Sequence, residues 1–358
     1  MTRGLVFAEP TSRPAVEEIT LDAVGPGEVQ VRVEACGVCH TDLHVVETGG
    51  WGMKFPILLG HEGAGVVEAV GEGVTAVVPG DRVVIAWRAP CGDSCRACRR
   101  GDPRRCSNNI RAKRRMRRAV DGALLNAVLR CGTFADRVIV HEAVAVKVPD
   151  ALPVEQACLL ACGFSTGAGA ALWSTPVAAG SSVAVIGFGG VGLAAIQGAR
   201  LAGASTIVAV DVLPEKLALA LELGATHAVE AGNSVAEVRE LTDGVDYAFS
   251  AITSPTGLVD AVRMCGYGGT ATLVGVPPPG RTLEVDVELD LFHPKVGIAV
   301  THGGDTIPQQ DFPFLAQAAL DGKLDLDRFV SKTIALEQVP GALDELHAPK
   351  GIRTVVLL

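Results

Sequence analysis

The sequence predicts an α/β chain of two parts: a partly closed, β-barrel-like domain followed by a doubly wound parallel sheet. Three observations lead there. Up to about residue 160, short runs of alternating polarity are punctuated by Gly and Pro. From about residue 163, apolar runs of strand length alternate with helix-like stretches. Finally, 358 residues are too many for one comfortable core.

Each element follows from its local pattern. Residues 27–35 (GEVQVRVEA) alternate as a half-buried strand does, and 65–70 and 81–85 read similarly. Such many-stranded stretches close into a barrel-like domain and leave loops free for functional groups. Residues 182–186 (SVAVI) form an apolar strand of the buried type, 190–202 have helical composition, and 206–211 (TIVAVD) form the next strand. A helix begins at Pro214 and ends at Leu223 before Gly224, and further strands are expected at 245–250 and 270–274. This βαβ rhythm is that of a Rossmann sheet. Pro277-Pro278-Pro279 interrupts it before a last apolar run at 296–300. Helices near 314–320 and 340–347 and a strand at 354–358 complete the chain, and no internal repeat is visible.

Composition narrows the function. The chain is 48% hydrophobic and 20% charged, with only 4% aromatic residues, so small aliphatic side chains must pack its interior. It contains no apolar run of membrane-spanning length and no secretory pattern at its start, so a cytoplasmic protein without membrane partners is expected. A net charge of -9 opposes general attraction to nucleic acid. Locally, however, eleven Lys or Arg residues lie from Arg96 to Arg118 with hardly any acid among them: either a solvated face or an electropositive rim for an anionic substrate. Ten cysteines without a secretion signal fit metal ligands and free thiols.

The chemistry-bearing stretch is Gly37 to His44 (GVCHTDLH), which offers a thiol, two imidazoles, a hydroxyl and a carboxylate. Together with GHEGAG at 60–65, CGDSCRACRRG at 91–101, ACGFSTGAG at 161–169, GFGGVG at 187–192 and the distant Asp211, it resembles the zinc-dependent medium-chain alcohol dehydrogenases over nearly the whole chain. AWRAPCGDSCRACRRGDPRRC, GTFADRVIVHE and the DFP near residue 312 are most similar to a bacterial subgroup that includes thiol-adduct (mycothiol-type) formaldehyde dehydrogenases. The resemblance implies a GroES-like catalytic domain of residues 1–162 and 299–358, discontinuous around a Rossmann domain of 163–298. It also implies two zinc ions per chain, NAD, and a homodimer or homotetramer.

By resemblance Cys39, His61 and Cys162 hold the catalytic zinc, leaving an open position where the metal acts on an alcohol as a Lewis acid. Glu62 is the family's occasional fourth ligand, or an acid bonded to a neighbouring arginine. Asp42 looks like the carboxylate that orients the ligand histidine, with a capping or turn role as the competing account. A proton path is expected from the alcohol to Thr41, through the cofactor ribose, to His44. His40 stands where the family often has an arginine on the cofactor pyrophosphate, and an imidazole there is only partly charged.

Cys91, Cys95, Cys98 and Cys106 fall within sixteen residues, close enough for one loop to wrap a structural zinc. The family's usual first spacing is Cys-x-x-Cys, whereas Gly92-Asp93-Ser94 inserts an extra residue that a bulge should absorb. Gly187, Gly189, Gly190, Val191 and Gly192 follow a predicted strand and open a helix, as a pyrophosphate cradle requires. Asp211 ends the next strand nineteen residues beyond Gly192 and would bond the ribose hydroxyls, favouring NAD over NADP. Lys216, Arg353 and Thr166 match family positions near the ribose, the pyrophosphate and the nicotinamide. Trp51 and Trp87 map to the substrate pocket, favouring a primary alcohol or aldehyde with a bulky or aromatic group. The subgroup resemblance and the basic run favour S-hydroxymethyl-thiol oxidation instead. A nucleotide-sensing module that engages nucleic acid through the basic run is the alternative from another class.

Overall fold

The structure is a computed structural model and describes residues 2–110, 113–347 and 351–358. Arg111 of the basic run lies outside the described residues. The chain divides into two compact units, Met1–Cys162 with Ile307–Leu358, and Gly163–Thr306.

The first unit is built on two sheets. One runs Met116–Arg118, Ala15–Leu21, Thr2–Phe7, Ile57–Leu58, Asn126–Ala127. The other runs Ala145–Lys147, Arg82–Ile85, Glu62–Val70, Glu28–Gly37, Arg353–Leu357, Val330–Ala335. Glu28–Gly37 pairs with three strands, since Arg137–His141 also joins it, and register shifts at Gln30/Val31 and Val33/Ala35 curl the sheet into a half-barrel. Val29, Val31, Val33 and Ala35 are fully or almost fully buried, as the alternation requires. The chain's last strand, antiparallel to this one with Val355 opposite Gly37, brings Arg353 to the functional end of the sheet.

The second unit carries a six-stranded parallel sheet in the order His227–Glu230, Thr206–Asp211, Ser182–Ile186, Val245–Ser250, Cys265–Leu273, Gly297–Val300. Strand order reverses between Ser182–Ile186 and Val245–Ser250, and their carboxyl ends form the crevice where such sheets take a nucleotide. Gly297–Val300 pairs in register with Thr270 to Leu273, so a boundary at 298/299 would split a strand; the unit runs on to Thr306.

Helix Pro308–Leu320 begins well before the expected Phe314. Pro308 sits in the first turn, where its missing N–H costs nothing, and the Asp311 carboxylate accepts from Ile307 N at 2.6 Å to close that turn. Among the described residues, no single helix is long and apolar enough to cross a membrane.

Candidate active site and metal centres

The stretch expected to be a loop after Gly37 is in fact an eight-residue helix, His40–Glu47, with Cys39 as its N-cap. Its buried side, Asp42, Leu43 and Val45, fixes the helix in the core with Phe7, Ile57, Val339 and Leu343. Cys39 is thereby held at a helix N-terminus, which favours a thiolate.

Beside it converge His61 and Glu62, at the start of strand Glu62–Val70, and Cys162 from the far end of the unit. One ligand atom from each of Cys39, His61, Glu62 and Cys162 lies within 4.8 Å of every other. Asp42 is fully buried; its Oδ1 accepts from Gly60 N at 2.8 Å and its Oδ2 stands 3.0 Å from His61 Nδ1. That contact turns Nε2 of the equally buried ring towards the cluster, where it has no hydrogen-bond partner among the described residues.

A buried imidazole nitrogen without a partner is costly, and so are the two Glu62 carboxylate oxygens, which also lack a hydrogen bond. The protonation balance points the same way. Cys39 is pulled well below its ordinary value by the Cys162 thiol, and further by His61 and Arg353. Desolvation disfavours charge on His61, but Asp42 and Cys39 outweigh it and raise its pKa well above the ordinary value. Burial pushes Glu62 up to about 7. Cys39 and burial push the Cys162 thiol well up, so the pocket holds protons on Cys162, His61 and Glu62 beside one thiolate, as a donor set crowded for a divalent cation should. Tetrahedral zinc would set such donors about 3.3–3.8 Å apart, a small contraction of the observed cluster. The residues fit the metal.

Arg353, expected near a pyrophosphate, has other partners. Its Nη1 donates to Val38 O at 2.8 Å and its Nη2 is 3.5 Å from Glu62 Oε1, with the side chain only 9% exposed. The alternative account of Glu62 as an acid beside an arginine is thus observed, within the metal cluster. His40 opens the helix, and partial burial lowers its pKa, so it carries less charge at neutral pH than an open imidazole would. Thr41 and His44 lie one turn apart; His44 is 43% exposed and faces Glu47 and, beyond it, His347, two residues the sequence reading passed over.

Trp51 is half-exposed in the turn 49–52, held by its N–H to Thr48 Oγ1 at 3.1 Å. Trp87 is half-buried, with the Arg88 guanidinium 5.9 Å above its ring and its carbonyl accepting from Asn109 Nδ2 at 3.0 Å.

The second cluster follows directly. Cys91, Cys95, Cys98 and Cys106 also bring their sulfurs within 4.8 Å of one another. Cys98 N donates to Cys95 Sγ and Cys91 N to Cys106 Sγ, both at 3.4 Å, and backbone N–H groups from Cys98 and Ser107 lower Cys95 to about 5. The inserted residue makes no bulge. It is absorbed by a tight turn in which Asp93 N donates to Cys91 O at 3.0 Å and Gly92 takes φ +74°.

Four members of the basic run are part-buried and paired with acids, whereas Arg96, Arg99, Arg100, Arg105, Lys113 and Arg114 are exposed. Arg104 forks onto Asp311 at 2.7 and 3.1 Å, Arg115 meets Glu28 at 2.7 Å, Arg117 meets Asp22 at 3.0 Å, and Arg118 meets Glu17 and Asp121 at 2.8 Å each. The compensating acids come mostly from distant segments, which no local reading of the run could reveal.

In the second unit, Gly187 turns at φ +88° and Gly192 approaches it so closely that a Cβ would stand 1.8 Å from Gly187 O. Helix Gly190–Ala202, with Gly189 as its N-cap, then directs its free N–H groups at the crevice, Val191 in its first turn. Asp211 is held by Phe188 N at 2.7 Å and Leu213 N at 3.0 Å, one to each oxygen, leaving lone pairs for ribose hydroxyls. Lys216 lies in the first turn of helix Pro214–Glu222, and Thr166 in helix Gly163–Gly169, which packs against the cradle helix.

Known proteins share this fold. Residues 25–150 match the family described as alcohol dehydrogenase GroES-like domain, and 190–319 the family described as zinc-binding dehydrogenase. An alcohol dehydrogenase zinc-binding domain protein from Burkholderia ambifaria is 38% identical, with a TM-score of 0.93 over 100% of this chain and 98% of that one. The benzyl alcohol dehydrogenase of Acinetobacter calcoaceticus is 31% identical, with a TM-score of 0.90 over 100% and 99%. A zinc-binding dehydrogenase from Sinorhizobium meliloti bound to NADP is 26% identical, with a TM-score of 0.83 over 100% and 99%. With a buried, partnerless ligand nitrogen in a cysteine-rich cluster and a glycine-turned cradle at the switch point of a parallel sheet, the chain belongs to the zinc-binding medium-chain alcohol dehydrogenases and is a nicotinamide-dependent oxidoreductase.

Proposed function

We propose that the protein transfers hydride reversibly between a primary alcohol carrying an aromatic or bulky apolar group and NAD, using one catalytic and one structural zinc. The observation that carries the reading is His61 Nε2, fully buried and without a partner among Cys39, Cys162 and Glu62. Zinc bound there supplies Lewis acidity that makes a hydroxyl proton removable near neutral pH.

The chain's own residues do the rest. Asp42 orients His61, and Gly60 N holds Asp42. Arg353 keeps Glu62 available at the metal's edge while balancing its charge. Thr41 takes the alcohol proton through its hydroxyl, and His44, on the same side of the helix and part-exposed, hands it to solvent. Asp211 selects NAD: backbone N–H groups pin both its oxygens, so it cannot turn away from a 2′-phosphate, and the exposed Val212 adds no positive charge.

Similarity to a benzyl alcohol dehydrogenase and the placement of Trp51 and Trp87 on the metal-bearing unit support an aromatic alcohol. The thiol-adduct reading rests on the subgroup resemblance and on the basic run as a rim for an anionic carrier, and the ion pairs of Arg104, Arg115, Arg117 and Arg118 take four of its cations out of that rim. Assembly as a homodimer or homotetramer is part of the proposal. Gly297–Val300 is an edge strand with exposed Ile298 and Val300, a surface that a second copy would cover.

Metal content, NAD against NADP reduction, and a panel of aliphatic and aromatic alcohols with and without formaldehyde plus low-molecular-weight thiols test the proposal on one preparation. Two zinc ions and NAD-linked turnover of benzylic alcohols are expected. Activity only when a thiol is added would replace the substrate assignment, and a single zinc would remove one of the two centres.

A further inference from the structure

Helix His40–Glu47 ends on a group that neither metal centre uses. Glu47 Oε2 stands 4.0 Å from His44 Nδ1, and Glu47 Oε1 stands 3.4 Å from His347 Nε2. One carboxylate thus lies between two imidazoles. All three side chains are part-exposed, at 43%, 42% and 61% for His44, Glu47 and His347.

Packing, rather than a chance meeting of long side chains, fixes this array. His44 and Glu47 are three residues apart on one helix and share a face. His347 follows helix Val339–Glu345, and Val339, Ala342 and Leu343 of that helix bury against Leu43 and Val45 in a single core cluster. Other charged groups on the two helices are committed elsewhere or lie further inward. Asp344 is paired with Arg13 and Glu345 with Lys332. Asp42 is turned to His61, and His40 is hydrogen-bonded to the backbone at Leu346.

We infer that the proton path continues beyond His44, with Glu47 as the positioning residue and His347 as the outer proton acceptor. This rests on the reading of His44 as the proton outlet. Glu47 Oε2, 4.0 Å from His44 Nδ1, places a negative charge where an arriving proton would leave a positive one. At 4.0 Å the contact acts through charge rather than a hydrogen bond, and it strengthens as the proton arrives. His347, paired to the other carboxylate oxygen and more exposed, gives the proton a second base in contact with bulk water.

The test is the pH profile of kcat/KM for alcohol oxidation in Glu47→Gln, His347→Gln and His44→Gln, at low and high salt. In Glu47→Gln the acid limb should move to lower pH, because the negative charge that attracts the proton arriving at His44 is lost. Wild-type protein in 1 M salt should move the same way, since the contact is open to screening. His347→Gln should slow turnover about two- to five-fold at low buffer concentration, with recovery on adding imidazole buffer. Ring NMR of 13C-labelled histidine reads the His44 shift without turnover. If the Glu47→Gln and His347→Gln profiles and ring titrations superimpose on wild type while His44→Gln alters the acid limb, the extension is wrong and His44 alone is the outlet. If His44→Gln leaves the limb unchanged, the outlet reading falls and this inference with it.

Discussion

Cys91, Cys95, Cys98 and Cys106 come from sixteen consecutive residues, whereas Cys39, His61, Glu62 and Cys162 are gathered from three distant segments. The first set wraps itself: its internal hydrogen bonds run between neighbouring cysteines, and three of its four thiols are part-exposed. The second is held from outside by Asp42, Gly60, Arg353 and Val38, with His61 and Glu62 wholly buried. On the proposed reading, the metal of the locally wrapped cluster is a folding element, added to the bonds that Asn108, Asn109 and Arg104 make around the loop. On the same reading, the cluster built by the whole unit is preorganised and its metal serves chemistry. Damage to the two should therefore read out differently, one in turnover and the other in stability.

The largest effect should come from Cys39→Ser. Turnover should fall about a thousandfold or more, the equivalent of several kcal/mol of lost charge stabilisation, while NAD affinity measured by fluorescence titration stays at the wild-type level. Full activity in this variant would refute the catalytic assignment. Asp42→Asn should be next, lowering activity or zinc affinity about 10- to 100-fold. An asparagine can still accept from Gly60 N through its amide oxygen but no longer presents a negative charge to His61. Zinc competition against a chromogenic chelator separates loss of affinity from loss of rate.

The same contrast explains what could be read from the sequence. The cysteine lobe was legible from spacing alone, because all its ligands share one loop. His61 and Cys162 were not: nothing local distinguishes a ligand histidine at a strand's start from a buried one, and only resemblance named them. Helix His40–Glu47 escaped notice because eight residues give too few turns for periodicity, and its capping residue is a cysteine rather than Ser, Thr, Asp or Asn. The pairing of Glu47 with His347 joins residues separated by most of the chain. The parallel sheet was readable because each buried strand is an apolar run bounded by glycine or a turn. Its end was not, since residues 301–306 carry no periodic signal that would extend the unit past Gly297–Val300.

Cys98→Ser sharpens the comparison from the other side. One zinc per chain should remain instead of two, and the melting temperature should drop by roughly 5–10 °C, as loss of a few kcal/mol from a unit of this size implies. Turnover at 25 °C should be largely preserved in the surviving folded protein. A variant that lost activity in proportion to metal, at unchanged melting temperature, would show the two clusters to be coupled and the division of roles to be mistaken.

The smallest effect concerns the inserted residue of the lobe. Gly92 adopts φ +74° in open space, with no atom within 4 Å of where a Cβ would stand, so Gly92→Ala introduces backbone strain without a clash. A non-glycine residue in the left-handed region costs about 1 kcal/mol, which corresponds to a melting-temperature loss of about 2–4 °C. Zinc content should stay at two, because Asp93 N can still donate to Cys91 O and Asn108 Nδ2 still braces Ser94 Oγ at 3.1 Å. If Gly92→Ala instead released one zinc, the turn would be a condition of metal binding rather than an accommodation to it. The extra residue would then be part of how this lobe closes around its ion.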